Sequence, residues 1–323
     1  MNSNQNKIDI WQHLLPGLCL NRFYVADGVN TIAIEIWFKF INTIGGKKLI
    51  SYYINDIIDY YIVMSKASNH MVSEAALLGI NELLLRINKK YILPKINNIF
   101  GNIIICLNSD SWPVVDSATI CSGNLIRNYA KKCEKKLLFF FGSWTSSSRS
   151  TIWSVRENSS IAFCDALKTT DLDIKLIILN FITNYLDKNL LSAKNEDVFG
   201  VKKSQFIPMN MMKMMKINEK KNLQNTKNNP NDISHGNNDE NIETIYNGKK
   251  QKNGFWGCCL DCLEVRRCSF WEISDGCIYL IRELASTHPE VALNYLPKIY
   301  ELLKLEHFKN FQKLHTTIFN QVT

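Results

Sequence analysis

The chain lacks the signals that mark membrane proteins, secreted proteins and the common enzyme classes. No apolar run reaches the roughly 18–20 residues that a helix needs to cross a bilayer. The longest candidates, Ile103–Leu107, Leu137–Phe141 and Ile174–Leu186, are too short or interrupted and read as buried helices. No secretory leader opens the sequence: Met1–Lys7 is polar, and Ile8–Leu20 is broken by charge, His13 and Pro16. A phosphate-binding glycine loop, a nucleophile elbow and an HExxH motif are all missing. Histidine is scarce, and the six present (His13, His70, His235, His288, His307, His315) share no spacing. Facial metal sites need convergent ligands, so that chemistry finds no support.

A phosphate-tracking stripe of basic and aromatic residues is also absent. The net charge is +8, but residues 200–254 alone hold ten Lys against five acids. The remainder is close to neutral, which speaks against nucleic acid as a partner. The ten cysteines are scattered. Cys121, Cys164 and Cys277 fall on or beside apolar stripes and read as small hydrophobes. Free thiols without a leader point to a reducing, intracellular compartment, the cytoplasm first and the nucleus still open.

What the chain does have is a recurring pattern. An aliphatic residue is followed two positions on by an acid, and two positions later by an apolar or small residue. The copies are Val25/Asp27/Val29, Val72/Glu74/Ala76, Val114/Asp116/Ala118, Val155/Glu157/Ser159 and Ile273/Asp275/Cys277. Their acids lie 47, 42, 41 and 118 residues apart. A period in the low forties marks stacked helical hairpins. Four residues before each aliphatic stands a helix-capping type: Asn21, Ser68, Asp110, Thr151, Ser269. Two residues before it stands a bulky ring, expected to pack in the first turn: Phe23, His70, Trp112, Trp153, Trp271.

Behind each copy runs an i, i+4, i+7, i+11 apolar stripe, such as Val114, Ala118, Cys121, Leu125. Small residues within the stripes (Gly79, Ala118, Ser159, Ala162) admit a close neighbour. Partner helices are expected near 47–65, 91–107, 131–141, 172–190 and 290–305. A degenerate sixth copy, Asn310/Leu314/Thr316, closes the chain.

The runs Trp112-Pro113-Val114-Val115-Asp116-Ser117-Ala118 and Trp153-Ser154-Val155-Arg156-Glu157-Asn158-Ser159 resemble the second-helix signature of the HEAT-repeat family of armadillo-type proteins. The likeness covers most of 20–190 and 265–322. It implies an all-α, right-handed α-α superhelix of about six hairpins, a solenoid acting as a non-catalytic protein-binding scaffold. That family places Arg or Lys after the aliphatic, bonded to an Asp of the preceding turn. Here only Arg156 matches, so the ladder is expected to be broken. The family's di-iron hydroxylase branch uses His-Glu pairs, and this chain has no His-Glu dipeptide.

Three parts follow: residues 1–193 as repeats 1 to 4 with the first helix of repeat 5; 194–268 as an insertion; 269–323 as the second helix of repeat 5 and a terminal repeat. Removing about 75 residues restores the period across the 118-residue gap. The insertion is rich in Asn and Lys and too poor in large apolar residues to offset ordering entropy. It contains the Met-rich run Met209–Ile217, read as a low-complexity tract or a short adaptable helix. It ends in Cys258, Cys259, Cys262 and Cys268, a half zinc motif beside the reading that zinc and every other cofactor are absent.

The acids Asp27, Glu74, Asp116, Glu157 and Asp275 are the candidate partner-binding residues. Glu35, Glu82, Asn124, Asp165 and Glu283 form a second row eight positions on. Stacking would line a groove with the first row and attract a basic protein segment. Acids near a helix start also favour the macrodipole without any partner. One alternative is a tubulin-binding array resembling the TOG type, through the turns Gly45-Gly46-Lys47-Lys48 and Asn88-Lys89-Lys90-Tyr91. The other is a metal-dependent activity on the Cys cluster. No small-molecule substrate is evident.

Overall fold

The computed structural model describes residues 3–195 and 268–305, all within one compact unit. The described residues are helical, with no strand among them. In chain order the helices are α1 (Ser3–Asn21), α2 (Asp27–Ile41), α3 (Ile44–Tyr52), α4 (Ile54–Met64), α5 (His70–Arg86), α6 (Lys89–Ile92), α7 (Ile96–Leu107), α8 (Trp112–Cys133), α9 (Leu138–Ser147), α10 (Trp153–Thr169), α11 (Leu172–Asn189), α12 (Phe270–Ala285), α13 (Pro289–Leu293) and α14 (Leu296–Leu303).

Four hairpins stand out: α4/α5, α7/α8, α9/α10 and α11/α12. Their second helices stack as one layer, with α5 on α8, α8 on α10 and α10 on α12. Among their first helices, α4 meets α7 and α7 meets α9. Bonds between positions at similar heights show that α5, α8 and α10 run parallel. Asn124 donates to Asn81 at 2.8 Å, and Arg127 to Asp165 at 2.7 Å.

The second-helix sequences explain the layer. Ala76, Leu77, Ile80 and Leu84 of α5, Ala118, Cys121, Leu125 and Ile126 of α8, and Ala162, Phe163, Ala166 and Leu167 of α10 are each no more than 3% exposed. A fully buried Leu or Ile stabilises by about 1.5–3 kcal/mol relative to an exposed one. Small residues set the helix spacing: Gly123 faces the backbone of Ala162, and Gly79 lies under the Tyr61 ring. A Cβ on Gly276 would overlap the carbonyl oxygen of Ser148, so α12 approaches that turn as only a glycine allows.

Helix starts match the repeat to within one residue in four copies. Ser269 caps α12 as expected, its N–H donating to Glu272 Oε2 at 2.8 Å. The other three caps sit one residue late, at Asn69, Ser111 and Ile152. Only Asn69 of these accepts with its side chain, from Met71 N at 3.0 Å. In α8, Pro113 sits in the first turn, where its missing N–H costs nothing.

The first copy is not a repeat. Asn21 ends a helix instead of starting one, and α2 begins at Asp27. Val25 and Val29, expected in the core, are 56% and 42% exposed. Helix α1 packs against α4 and α5 in their place, burying Leu15, Cys19 and Leu20. At the other end α14 ties back to α11 through Lys298–Asp187 at 2.6 Å. The insertion between 196 and 267, including Met209–Ile217, and the sixth copy at Asn310, Leu314 and Thr316 lie outside the described residues.

Candidate protein-binding face

Glu74, Asp116 and Glu157 are each the fifth residue of their second helix and Asp275 is the sixth, one turn in from the N-terminus, where neighbouring helices are close enough for side chains to bridge. Asp116 accepts from Ser154 Oγ at 2.9 Å and from Asn158 Nδ2 at 2.8 Å, both on α10. Glu157 pairs with Arg282 of α12 at 2.7 Å. These two acids are half-buried, and each is tied to the next helix of the layer.

Glu74 is also half-buried, but among the described residues it has no hydrogen bond or ion pair. Its carboxyl is raised above the usual range, chiefly by burial; His70 opposes this and Asp116 adds to it. Asp116 is raised too, again mainly by burial, with Asn158 and Ser154 opposing and Glu157 adding. Three carboxylates on three adjacent helices therefore repel one another along one face.

Two acids of the row do not belong to that face. Asp27 is exposed at the start of α2, which is not part of the stacked layer. Asp275 is buried, 1% exposed, so its expected partner-facing role is corrected. Its Oδ2 accepts from Arg156 Nε at 2.9 Å and Nη2 at 2.6 Å. Arg156 is equally buried and also donates from Nη1 to the Ser150 carbonyl at 2.7 Å, with Glu272 3.8 Å away.

Ion pairs between neighbouring segments form rungs: Arg22–Glu82 at 2.6 Å, Arg127–Asp165, Arg282–Glu157 and Arg156–Asp275. Most of the second acid row belongs to these rungs, with Glu283 pairing to Arg282 at 2.8 Å and Glu35 alone exposed.

The rings at the helix starts depart from expectation. Trp112 and Trp153, the first residues of α8 and α10, are 36% and 53% exposed instead of packed. Only Trp271 of the three tryptophans packs against the core. The spacing Trp112–Asp116 and Trp153–Glu157 is i, i+4, which puts each ring and acid on one side of its helix. The motif contained this signal, since ring and acid recur four apart.

No protein-family model matches this chain, and no curated protein matches it. Among solved structures, a chain of the complex in which Kap95p binding induces the switch loops of RanGDP to adopt the GTP-bound conformation is similar, with a TM-score of 0.44 and 14% identity. The match covers 100% of the present chain and 36% of that one, so this chain spans about a third of its solved counterpart.

Of the Cys cluster, Cys258, Cys259 and Cys262 lie outside the described residues. Cys268 is half-buried, with its Sγ 3.4 Å from the Ser269 carbonyl. Cys277 is fully buried in the α12 core, where desolvation raises its thiol strongly, so it is a poor fourth ligand. Burial likewise pushes Cys19 and Cys164 up to about 12 and Cys133 to about 11.

Native protein at pH 7.5 should therefore leave Cys19, Cys106, Cys121, Cys133, Cys164 and Cys277 unlabelled by a chromogenic disulfide, while Cys268 reacts. Peptide mapping of the labelled thiols checks this, and fast labelling of Cys121 would contradict it. The basic turns of the tubulin-binding alternative also change character. Gly45–Lys48 forms the first turns of α3, and Lys89–Lys90 opens α6, with Lys89 Nζ bonded to the Asn128 carbonyl at 2.7 Å. Among the described residues no helix is long and apolar enough to cross a membrane.

Proposed function

We propose that the chain is a non-catalytic, intracellular protein-binding scaffold that holds a basic segment of a partner against its second-helix layer, without metal or other cofactor. The observation that supports this is repetition at a fixed register. Helices α5, α8 and α10 lie side by side and bring Glu74, Asp116 and Glu157 onto one face. A row of like charges on adjacent helices steers and retains a segment of opposite charge.

Glu74 is the informative position, because Asp116 and Glu157 also hold helices together. Glu74→Lys should cut recovery of the partner in affinity purification at least tenfold, with the helical circular-dichroism spectrum unchanged, because among the described residues no hydrogen bond or ion pair ends on Glu74. Undiminished recovery would end the proposal. The raised carboxyls give a pH sign as well. Binding needs their charged forms, so it should weaken as pH falls through the range just above that of ordinary carboxylates, and recover on return to neutral pH.

A further inference from the structure

We infer that Trp112 and Trp153 form the contact surface for that basic segment, with a Lys or Arg side chain of the partner seated between the two rings and its charge on Asp116. The inference rests on the acid-row reading and names the chemistry of the same face. Both tryptophans are the first residues of stacked, parallel helices, and both stay exposed although tryptophan is highly buried on average. Among the described residues no cation lies over either ring, whereas Phe23, Trp37, Tyr91 and Tyr185 each have a Lys or Arg over them.

Asp116 links the two ring-bearing helix starts. It is four residues after Trp112 on α8, and its carboxylate is bonded to Ser154, the residue after Trp153 on α10. Packed helices lie about 8–10 Å apart. That spacing leaves room between neighbouring rings for one flat guanidinium or one alkylammonium chain.

Charge complementarity selects the occupant. An exposed aromatic pair alone would accept any apolar chain, but burial and mutual repulsion hold Glu74 and Asp116 in a state that a cation relieves. A cation over a tryptophan face is itself attracted by the ring quadrupole. The donors of Asp116 are the neutral side chains of Ser154 and Asn158, so its charge is not cancelled by an arginine as that of Asp275 is. A segment in the polyproline II conformation has three residues per turn and rises about 3.1 Å per residue, so basic residues three apart share one side and match the helix spacing.

The test uses the full chain and a fluorescein-labelled peptide of Gly, Ser and Lys with Lys at every third position, read by anisotropy at low and at 0.3 M salt. The wild type should bind one peptide saturably, and Trp112→Ala/Trp153→Ala should weaken it at least tenfold with an unchanged helical circular-dichroism spectrum. Trp112→Phe/Trp153→Phe should stay within about threefold, which a purely structural role would not predict. Equal binding by the double alanine variant overturns the ring proposal; if Glu74→Lys still abolishes partner recovery, the acid-row reading survives that failure. Equal binding of the same peptide with norleucine for lysine makes the surface a general apolar dock and also overturns it, as does tighter binding of a single-stranded oligonucleotide.

Discussion

Replacing Arg156 with Met is expected to destabilise the chain by about 3–5 kcal/mol, because a buried pair stripped of one partner leaves its counter-charge uncompensated. Arg156 and Asp275 are both 1% exposed and Glu272 is fully buried, so the change removes the cation beside two buried carboxylates, not one. The methionine fills most of the space but supplies none of the three bonds to Asp275 and the Ser150 carbonyl.

The location of the damage is as informative as its size. Arg156 is on α10 and both acids are on α12, so the change acts at a single helix-to-helix contact of the stack. In repeat arrays stability is close to a sum of unit and neighbour terms. The variant should therefore release α12–α14 in a transition of its own, below the main one. Thermal melting followed by circular dichroism, with hydrogen exchange of α12, reads both. Adding Asp275→Leu should recover part of the loss, since removing both charges is far less costly than removing one. A single unshifted transition in Arg156→Met would refute the argument.

Trp144→Ala carries the other large expectation, also about 3–5 kcal/mol, for a different reason. Trp144 is fully buried on α9 and sits within a ring cluster, its centroid 5.3 Å from Phe140, 5.0 Å from Phe163 and 6.1 Å from Phe141. Deleting it opens a cavity the size of an indole, which rigid helices cannot close. The polar loss is minor by comparison. Trp144 Nε1 donates to Ser122 Oγ at 2.8 Å, but the Ser122 hydroxyl keeps its own bond to the Thr119 carbonyl at 2.6 Å.

Trp144→Phe separates the two terms. It keeps most of the aromatic contact, loses the N–H, and should cost well under half of the alanine change. Urea midpoints of the three proteins measure it, and equal losses for Phe and Ala would assign the energy to the hydrogen bond instead of packing.

The architecture was legible in the sequence where local signals and packing agree. In α5, α8, α10 and α12 the apolar stripe, the start and the small mid-helix residues belong to one helix, and a period reports them directly. The first copy shows the limit. Val25, Asp27 and Val29 satisfy the spacing, yet spacing does not say which helix joins the stack, and α1 buries Leu15, Cys19 and Leu20 there instead.

The candidate site was less legible, because an acid's surroundings depend on residues far away in the chain. Asp275 is neutralised by Arg156, 119 positions earlier, and Glu157 by Arg282. Glu74 differs in that, among the described residues, no side chain on α8 donates to it. The exposure of Trp112 and Trp153 was missed for a similar reason: a ring in a first turn packs or not according to the neighbouring hairpin, as Trp271 does and they do not.

The pairing of Arg156 with Asp275 has a further consequence. α11 and α12 are far apart in sequence, yet α12 docks on α10 and α11 through buried surface and a buried ion pair. The entropic cost of closing the loop between them changes by only about 0.6 kcal/mol for each doubling of its length. In genetic terms, length is a cheap variable at this locus, because the joint itself is written in α10, α11 and α12.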